Sequence, residues 1–343
     1  MNTKILKIND GSLKLSKNLI VNEELVAFPT ETVYGLGGLA TSDLAVQRIF
    51  DAKGRPNDNP LIVHVHKNYD LSKLVEIEFD YVYDLINAFM PGPLTLVMKN
   101  KGKVSKAVTC GLDTLAIRIP DHEGCQDFLK YLDLPIAAPS ANVSKHTSPV
   151  TAEHVYNDLS GKVEVILDGG KCKGGIESTV LDVTGQTPLI LRSGLVTLEM
   201  IKRVVGSCEY ATTKEGEPVR SPGMKYTHYT PKCSTVLFER NELPLAQKTY
   251  DDCVSKGKVP VFLCDDKVSH KLCGEKLLLG STGEEIASNL YDKLLEGEKI
   301  ADLLIAVKID SGSEIDVGVL NRLSKACKQY DGAFNLDDIL GDL

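Results

Sequence analysis

Tryptophan is absent from the 343-residue chain, and the aromatic residues together make up only 6% of it. Single-stranded nucleic acid is held largely by stacking on such rings, so a stacking groove is a poor expectation. Positive charge is also in deficit, with 39 Lys and Arg against 47 Asp and Glu and a net charge of −8. That balance argues against extended nonspecific binding to nucleic acid or an anionic membrane, while leaving room for a local basic cleft. No apolar run approaches the ~20 residues that span a bilayer, and no signal-peptide pattern is visible. The nine cysteines at 110, 125, 172, 208, 233, 253, 264, 273 and 327 include no C-x-x-C pair. An odd, scattered set predicts reduced thiols in a cytoplasmic protein rather than disulfides or a zinc site.

Three catalytic signatures are missing as well: G-x-x-x-x-G-K-[ST], H-E-x-x-H and G-x-S-x-G. Covalent serine catalysis and protein-bound zinc are therefore not expected.

What remains is ordinary globular material, 43% hydrophobic and 25% charged, long enough for about two domains. Residues 24 to 205 alternate β-rich runs with helical periodicity. Strand patterns fall at 25–28, 61–65, 94–98, 115–119, 135–138, 163–167, 178–183 and 189–191, and helical ones at 43–53, 79–89, 123–132, 151–159 and 197–205. The alternation predicts an α/β domain with a large sheet. The pattern breaks between Gly206 and Cys233. A second alternation follows, with strands at 234–239, 259–264 and 302–307 and helices at 243–256, 283–296 and 316–328. It predicts a small parallel βαβ domain. The expected domains are 1–206 and 234–343, joined by a linker over 207–233.

Polar and charged residues gather where strands end. Pro29–Ala40 reads PTETVYGLGGLA and is expected as a polar glycine loop, its glycines taking positive φ or letting a ligand approach the backbone. Ser42 and Asp43 would cap the next helix and Gly54 would end it. Gly35-x-Gly37-x-x-Ala40 mimics a dinucleotide fingerprint, but PTETVY occupies the place of the required tight turn. Lys53–Pro60 (KGRPNDNP) forms a stiff cationic loop, and His64 and His66 share one strand face. Arg118 sits in an apolar strand and needs a carboxylate or phosphate, from the protein or from a ligand. Small residues and hydroxyls crowd Ala137–Ser144; Ser148 and Thr151 suit a phosphate contact and a helix N-cap equally well. Glu177–Val180 and Arg192-Ser193-Gly194 complete the set. Open α/β sheets collect ligands at such ends. Lys53, Arg55, Arg118 and Arg192 beside hydroxyl-rich loops suit an anionic substrate such as a nucleotide, and nucleotidyl transfer runs on positioning and electrostatics without a protein nucleophile.

In their order these motifs resemble the threonylcarbamoyl-AMP synthases, the YrdC family, in its long two-domain form. P-T-E-T-x-Y-G-L-G stands at Pro29–Gly37, K-x-R at Lys53 and Arg55, and D-N-P-L-x-x-H at Asp58–His64. P-G-P-x-T is Pro91–Thr95, S-x-N is Ser140 and Asn142, and E-S-T-V is Glu177–Val180. Arg192-x-Gly194 and S-P-G-M-x-x-x-H-Y-x-P, from Ser221 to Pro231, close the series.

The resemblance implies an N-terminal α/β YrdC-like domain with a large twisted mixed sheet and flanking helices, and a smaller C-terminal Rossmann-like βαβ domain. It implies a nucleotidyltransferase that condenses L-threonine, bicarbonate and ATP into threonylcarbamoyl-AMP, releasing pyrophosphate. A downstream tRNA threonylcarbamoyl transferase machinery would use the product on an adenosine beside the anticodon, with tRNA contact indirect or transient. By position, Thr32, His64, Arg118 and Ser178 look like the L-threonine pocket, with Arg118 on the carboxylate. Arg55, Asn59, Thr114, Ser140, Asn142, Ser148, Arg192 and Tyr229 look like ATP ligands, and Lys53 and Arg55 like positioning residues. Magnesium would arrive with ATP, held by its phosphates. The linker, whose stretch from Thr213 to Lys232 carries Lys214, Arg220, Lys225 and Lys232 against two acidic residues, would fold over the nucleotide as a lid bearing Tyr229. One departure is Lys145, where the family usually has glycine after S-A-N-x-S. Two rivals are a double-stranded RNA or tRNA-binding module using the basic cleft, and a carbamoyl-phosphate-using relative, which ordinarily brings zinc-finger cysteine pairs.

Overall fold

The computed structural model describes residues 2–57, 59–212 and 229–330. They fall into two compact units, one within Met1–Ser144 and Ser148–Tyr226, the other within Lys145–Thr147 and Thr227–Leu343. Much of the linker expected over 207–233, with its lid role, lies outside the described residues. Its start does not: Glu209–Tyr210 is a strand paired in parallel with Leu189–Ile190.

The first unit is built on one twelve-stranded sheet. Its strands are β1 (Lys4–Lys7), β2 (Val26–Phe28), β3 (Gly35–Leu39), β4 (Ile62–His64), β5 (Val75–Glu76), β6 (Leu94–Asn100), β7 (Thr114–Arg118), β8 (Ile136–Ala137), β9 (Val165–Asp168), β10 (Thr179–Asp182), β11 (Leu189–Arg192) and β12 (Glu209–Tyr210). Across the sheet they run β1-β9-β2-β3-β8-β4-β7-β6-β10-β11-β12, with β5 beside β6. The sheet is mixed: β4–β7 and β6–β10 are parallel, for instance, while β6–β7 and β10–β11 are antiparallel.

Local chemistry sets the helix ends. Asp43–Lys53 starts where the Ser42 side chain accepts from Ala45 N at 3.1 Å and stops at Gly54, which turns left-handed at φ 60°. Thr151 caps Ala152–Leu159 by accepting from His154 N at 3.2 Å. The open choice for the 148–151 segment thus divides: Thr151 is the cap, and Ser148 instead donates to Glu177 Oε1 at 2.7 Å. Sequence periodicity missed β1 and the helix Asp10–Val21, although Asn9 and Ser12 form a capping box at its start.

One expectation is overturned. Gly35–Leu39 is no loop but strand β3, antiparallel to β2 and β8, and Gly35, Gly37 and Gly38 are not among the positive-φ residues. Their smallness serves packing. A Cβ on Gly37 would stand 2.8 Å from the Phe28 ring and 2.9 Å from Ile136 Cγ2. The missing side chain makes room for the buried Phe28, whose ring packs edge-on to His64 and beside Phe128.

The second unit holds a five-stranded sheet, all parallel. Its strands are β13 (Ser234–Phe238), β14 (Pro260–Cys264), β15 (Lys276–Leu278), β16 (Leu303–Val307) and β17 (Lys328–Gln329), in the order β15-β14-β16-β13-β17. Helices Leu243–Ser255, Gly283–Ile300 and Ile315–Ala326 supply the crossovers that parallel strands require. Val236, Phe238, Phe262 and Ile305 are at its core. The tripeptide Lys145–Thr147 belongs to this unit: Thr230 N donates to Lys145 O at 3.0 Å, Thr147 Oγ1 to Tyr229 O at 3.0 Å, and His146 Nε2 lies 2.8 Å from Glu298 Oε2. Lys145 itself is left-handed, at φ 73°. That conformation explains why glycine suits the position.

Candidate active site

Sheet register brings distant motifs into one row. On β7, Arg118 is the Cα partner of His64 on β4 and of Thr95 on β6. Thr95 in turn faces Val180 on β10, and Val180 faces Arg192 on β11. Register partners share a face of a sheet, and Ser178, two residues before Val180, continues that face. Accordingly the hydroxyls of Ser178 and Thr95 lie 2.8 Å apart, and Arg192 donates from Nη2 to Ser178 Oγ at 3.2 Å and from Nε to Ser178 O at 3.1 Å.

Arg118 is buried, and its charge is met by Glu31, the acid of P-T-E-T, with Nη2 2.7 Å from Oε1. The need for a carboxylate is thus filled from within the protein. The approach is nevertheless out of line for a hydrogen bond, and Arg118 Nη2 and both Glu31 oxygens have no hydrogen-bond partner among the described residues. Charge is balanced here while bonding capacity stays open.

His64 is also buried, and its Nδ1 lies 3.2 Å from Ile62 O. A carbonyl only accepts, so in the neutral ring Nδ1 carries the proton and Nε2 presents a lone pair. Neutrality is enforced: burial first, then the Arg118 charge, press the His64 pKa down to about 3. Nearby in sequence, Thr30 Oγ1 gives its one proton to Val33 O at 2.6 Å, so in its 2.9 Å contact with Thr32 the donor is Thr32. Thr32 keeps lone pairs for a ligand.

The residues assigned to the nucleotide form a second group. Lys53, at the end of its helix, is buried and donates to Ser140 O at 2.5 Å and Asn142 O at 2.6 Å. Burial above all, with Arg55 adding to it and Asp158 and Glu177 opposing, pulls the Lys53 pKa well below that of a free lysine. The lysine holds the S-x-N segment in place. Arg55 donates to Asn59 O at 3.1 Å, and Asn59, wholly buried, leaves both amide atoms without a hydrogen-bond partner among the described residues. A buried unpaired amide is costly, which marks Asn59 as a group set aside for a ligand. Ser140 forms a β-bridge to Gly35, and Thr114 opens β7. Tyr229 belongs to the second unit, its buried ring stacked on Tyr291 at 5.2 Å. Glu31, Thr95 and Glu177 were visible in the sequence only as motif letters. Their side-chain contacts are what single them out.

Among the described residues, no group of three or more His, Cys, Asp or Glu can hold a metal ion, and no helix is long and apolar enough to cross a membrane. All nine cysteines are free thiols.

Comparison with known proteins agrees across the chain. A family profile described as telomere recombination (Sua5, YciO and YrdC) matches residues 18–194, and one described as the threonylcarbamoyl-AMP synthase C-terminal domain matches residues 196–327. The threonylcarbamoyl-AMP synthase of Pyrococcus abyssi is 39% identical over 93% of this chain and 95% of its own length. That of Bacillus subtilis is 39% identical over 94% and 95%. The structure of P. abyssi Sua5 complexed with L-threonine superposes with a TM-score of 0.84 at 37% identity, covering 95% of this chain and 96% of that one. A His/Tyr double-alanine variant of the same protein gives 0.86 at 36% identity, covering 96% and 99%.

Proposed function

Because the chain belongs to the threonylcarbamoyl-AMP synthase family, in its two-domain Sua5 form, and is a nucleotidyltransferase-type enzyme, we propose that it condenses L-threonine, bicarbonate and ATP into threonylcarbamoyl-AMP and pyrophosphate. The product serves threonylcarbamoylation of tRNA beside the anticodon by a separate transferase. The observation that carries this reading is the row His64–Arg118–Thr95 with Ser178 beside it. It sets one guanidinium between a neutral imidazole and a pair of hydroxyls, which is the complement of a small hydroxylated carboxylic acid.

In this reading Arg118 binds the threonine carboxylate. His64 Nε2 and the hydroxyls of Thr32 and Ser178 orient the amine and the side-chain hydroxyl. The amine adds to bicarbonate with loss of water, and the resulting carbamate oxygen attacks the α-phosphorus of ATP. The bond to the pyrophosphate leaving group breaks as the new P–O bond forms. Arg55, Asn59, Thr114, Ser140, Asn142, Ser148 and Arg192 are proposed for the nucleotide, with Lys53 positioning Ser140 and Asn142. Arg192, through Ser178, ties the two substrate pockets together. Magnesium brought with ATP would be held mainly by its phosphates and would supply charge neutralisation there. Burial matters because carbamate and mixed anhydride are both labile in water.

The test is pyrophosphate release by the full chain with L-threonine, bicarbonate and ATP each omitted in turn. Release must depend on all three; release without threonine or bicarbonate would defeat the proposal. Tight tRNA binding that falls steeply with salt and ignores threonine would favour the RNA-binding alternative instead.

A further inference from the structure

We propose that the Glu31 carboxylate receives the α-amino group of the amino-acid substrate and takes its proton, producing the free amine that adds to bicarbonate. The inference rests on the reading that Arg118 holds the substrate carboxylate. An α-amino acid carries its cation and its anion on one carbon, so a pocket for the whole zwitterion needs an anion and a cation side by side. Glu31 and Arg118 stand 2.7 Å apart and provide that pair.

Three features separate Glu31 from a structural counter-ion. A buried ion pair that serves only the fold recovers its desolvation cost through aligned hydrogen bonds. Here the contact is out of line, and both Glu31 oxygens are left without a hydrogen-bond donor among the described residues. The backbone of Glu31 is held firmly: Gly174 N donates to Glu31 O at 2.7 Å, and a Cβ on Gly174 would sit 3.0 Å from that oxygen and 2.7 Å from Leu195 Cδ1. Of the other titratable groups near Arg118, His64 presents a lone pair from a neutral ring, and burial keeps the Cys125 and Cys172 thiols protonated. Glu31 is therefore the negative charge of the pocket.

The chemistry needs such a group. α-Amino groups titrate at about 7.7–8.0 or above, so at neutral pH the substrate arrives largely as an ammonium, which is not nucleophilic. Proton transfer from the ammonium to Glu31 leaves an amine and a neutral carboxylic acid. The amine and bicarbonate then give carbamate and one water, with no further proton required. The proton on Glu31 passes to solvent or to the departing pyrophosphate, which restores the carboxylate.

The experiment compares wild type with Glu31→Gln, full chain, by calorimetric titration of L-threonine and of (R)-3-hydroxybutanoate, the same molecule without its amine. We expect Glu31→Gln to weaken L-threonine roughly 10- to 100-fold, as loss of a charge-assisted hydrogen bond does. Binding of (R)-3-hydroxybutanoate should stay within about twofold, since that ligand never meets Glu31. The turnover of the variant should also climb about tenfold per pH unit towards the solution pKa of the substrate amine, because free amine must then come from solvent. Glu31→Asp should recover part of the loss, and unchanged ATP affinity and unfolding temperature verify the fold. Equal weakening of both ligands, or unchanged threonine binding, would overturn the proposal and leave Glu31 as an orienter of Arg118. Wild type that fails to bind L-threonine at all would sink the threonine reading itself, and this inference with it.

Discussion

The ammonium of Lys53 is bound to the backbone of Asn142, donating to its carbonyl oxygen at 2.6 Å while also reaching Ser140 O at 2.5 Å. This contact joins the K-x-R and S-x-N motifs and fixes the second by the first. Lys53→Met keeps the stem but leaves the buried Asn142 carbonyl and the half-buried Ser140 carbonyl without their donor. The expected cost is ~2–4 kcal/mol of stability and at least a tenfold loss of ATP affinity, read by chemical denaturation and calorimetry. Lys53→Arg should not rescue, because a planar fork does not fit a slot shaped for an ammonium. A variant with wild-type stability and nucleotide affinity would refute this role.

A second expectation concerns acid. The folded-state pKa of His64, about 3, lies below its unfolded value, so the unfolded chain binds a proton the native protein refuses. Its stabilising contribution is complete above the unfolded value of about 6.5. It is lost as pH falls from there towards 3, at up to about 1.4 kcal/mol per pH unit. Wild type should therefore lose stability between pH 7.5 and 5 faster than His64→Gln in urea unfolding. Parallel losses in the two proteins would contradict the burial argument.

Gly37 gives a prediction of unusual sign. In an ordinary strand, alanine for glycine stabilises slightly through the unfolded state. Here the added methyl would meet the Phe28 ring at 2.8 Å and Ile136 at 2.9 Å. Gly37→Ala should destabilise by ~1–3 kcal/mol, visible as a lower unfolding temperature, with Phe28→Leu partly relieving it. A neutral or stabilising outcome would show that the sheet can shift to accommodate it.

Lys145 is the converse case. It holds φ 73° with a side chain, so Lys145→Gly should raise stability by about 1 kcal/mol. The unfolding midpoint tests this directly. A drop instead would mean that the lysine side chain contributes more than its backbone costs.

How much of this was legible beforehand depends on the range of the interaction involved. The helix Asp43–Lys53 has the bounds its Ser42 cap and Gly54 stop predict, because capping is decided within four residues, and Glu123–Leu132 has the bounds its periodicity predicts. Most strands were legible from apolar runs, though β1, β3, β5, β12, β15 and β17 were not, and the second unit's parallel βαβ character was legible from its spacing. The glycines of PTETVYGLGGLA misled for a reason of the same kind: a glycine needed for a turn and one needed to clear a neighbouring ring look alike in sequence. Phe28 and Ile136, which require the space at Gly37, are brought there only by pairing β3 with β2 and β8.

The sequence by itself determined the chemistry available: a buried arginine that required an anion, cations beside hydroxyls, and the order of motifs that marks the family. Tertiary structure alone decided the partners. Arg118 needed a carboxylate, but that Glu31, 87 residues earlier in the numbering, supplies it follows from the sheet and the Gly174 contact. Lys53 was expected to position and Ser178 to bind threonine, yet their hydrogen-bond partners, Asn142 and Thr95, lie 89 and 83 residues away. Local sequence sets dihedral preferences and burial, whereas contacts over such separations exist only once the register of the sheet places one strand against another.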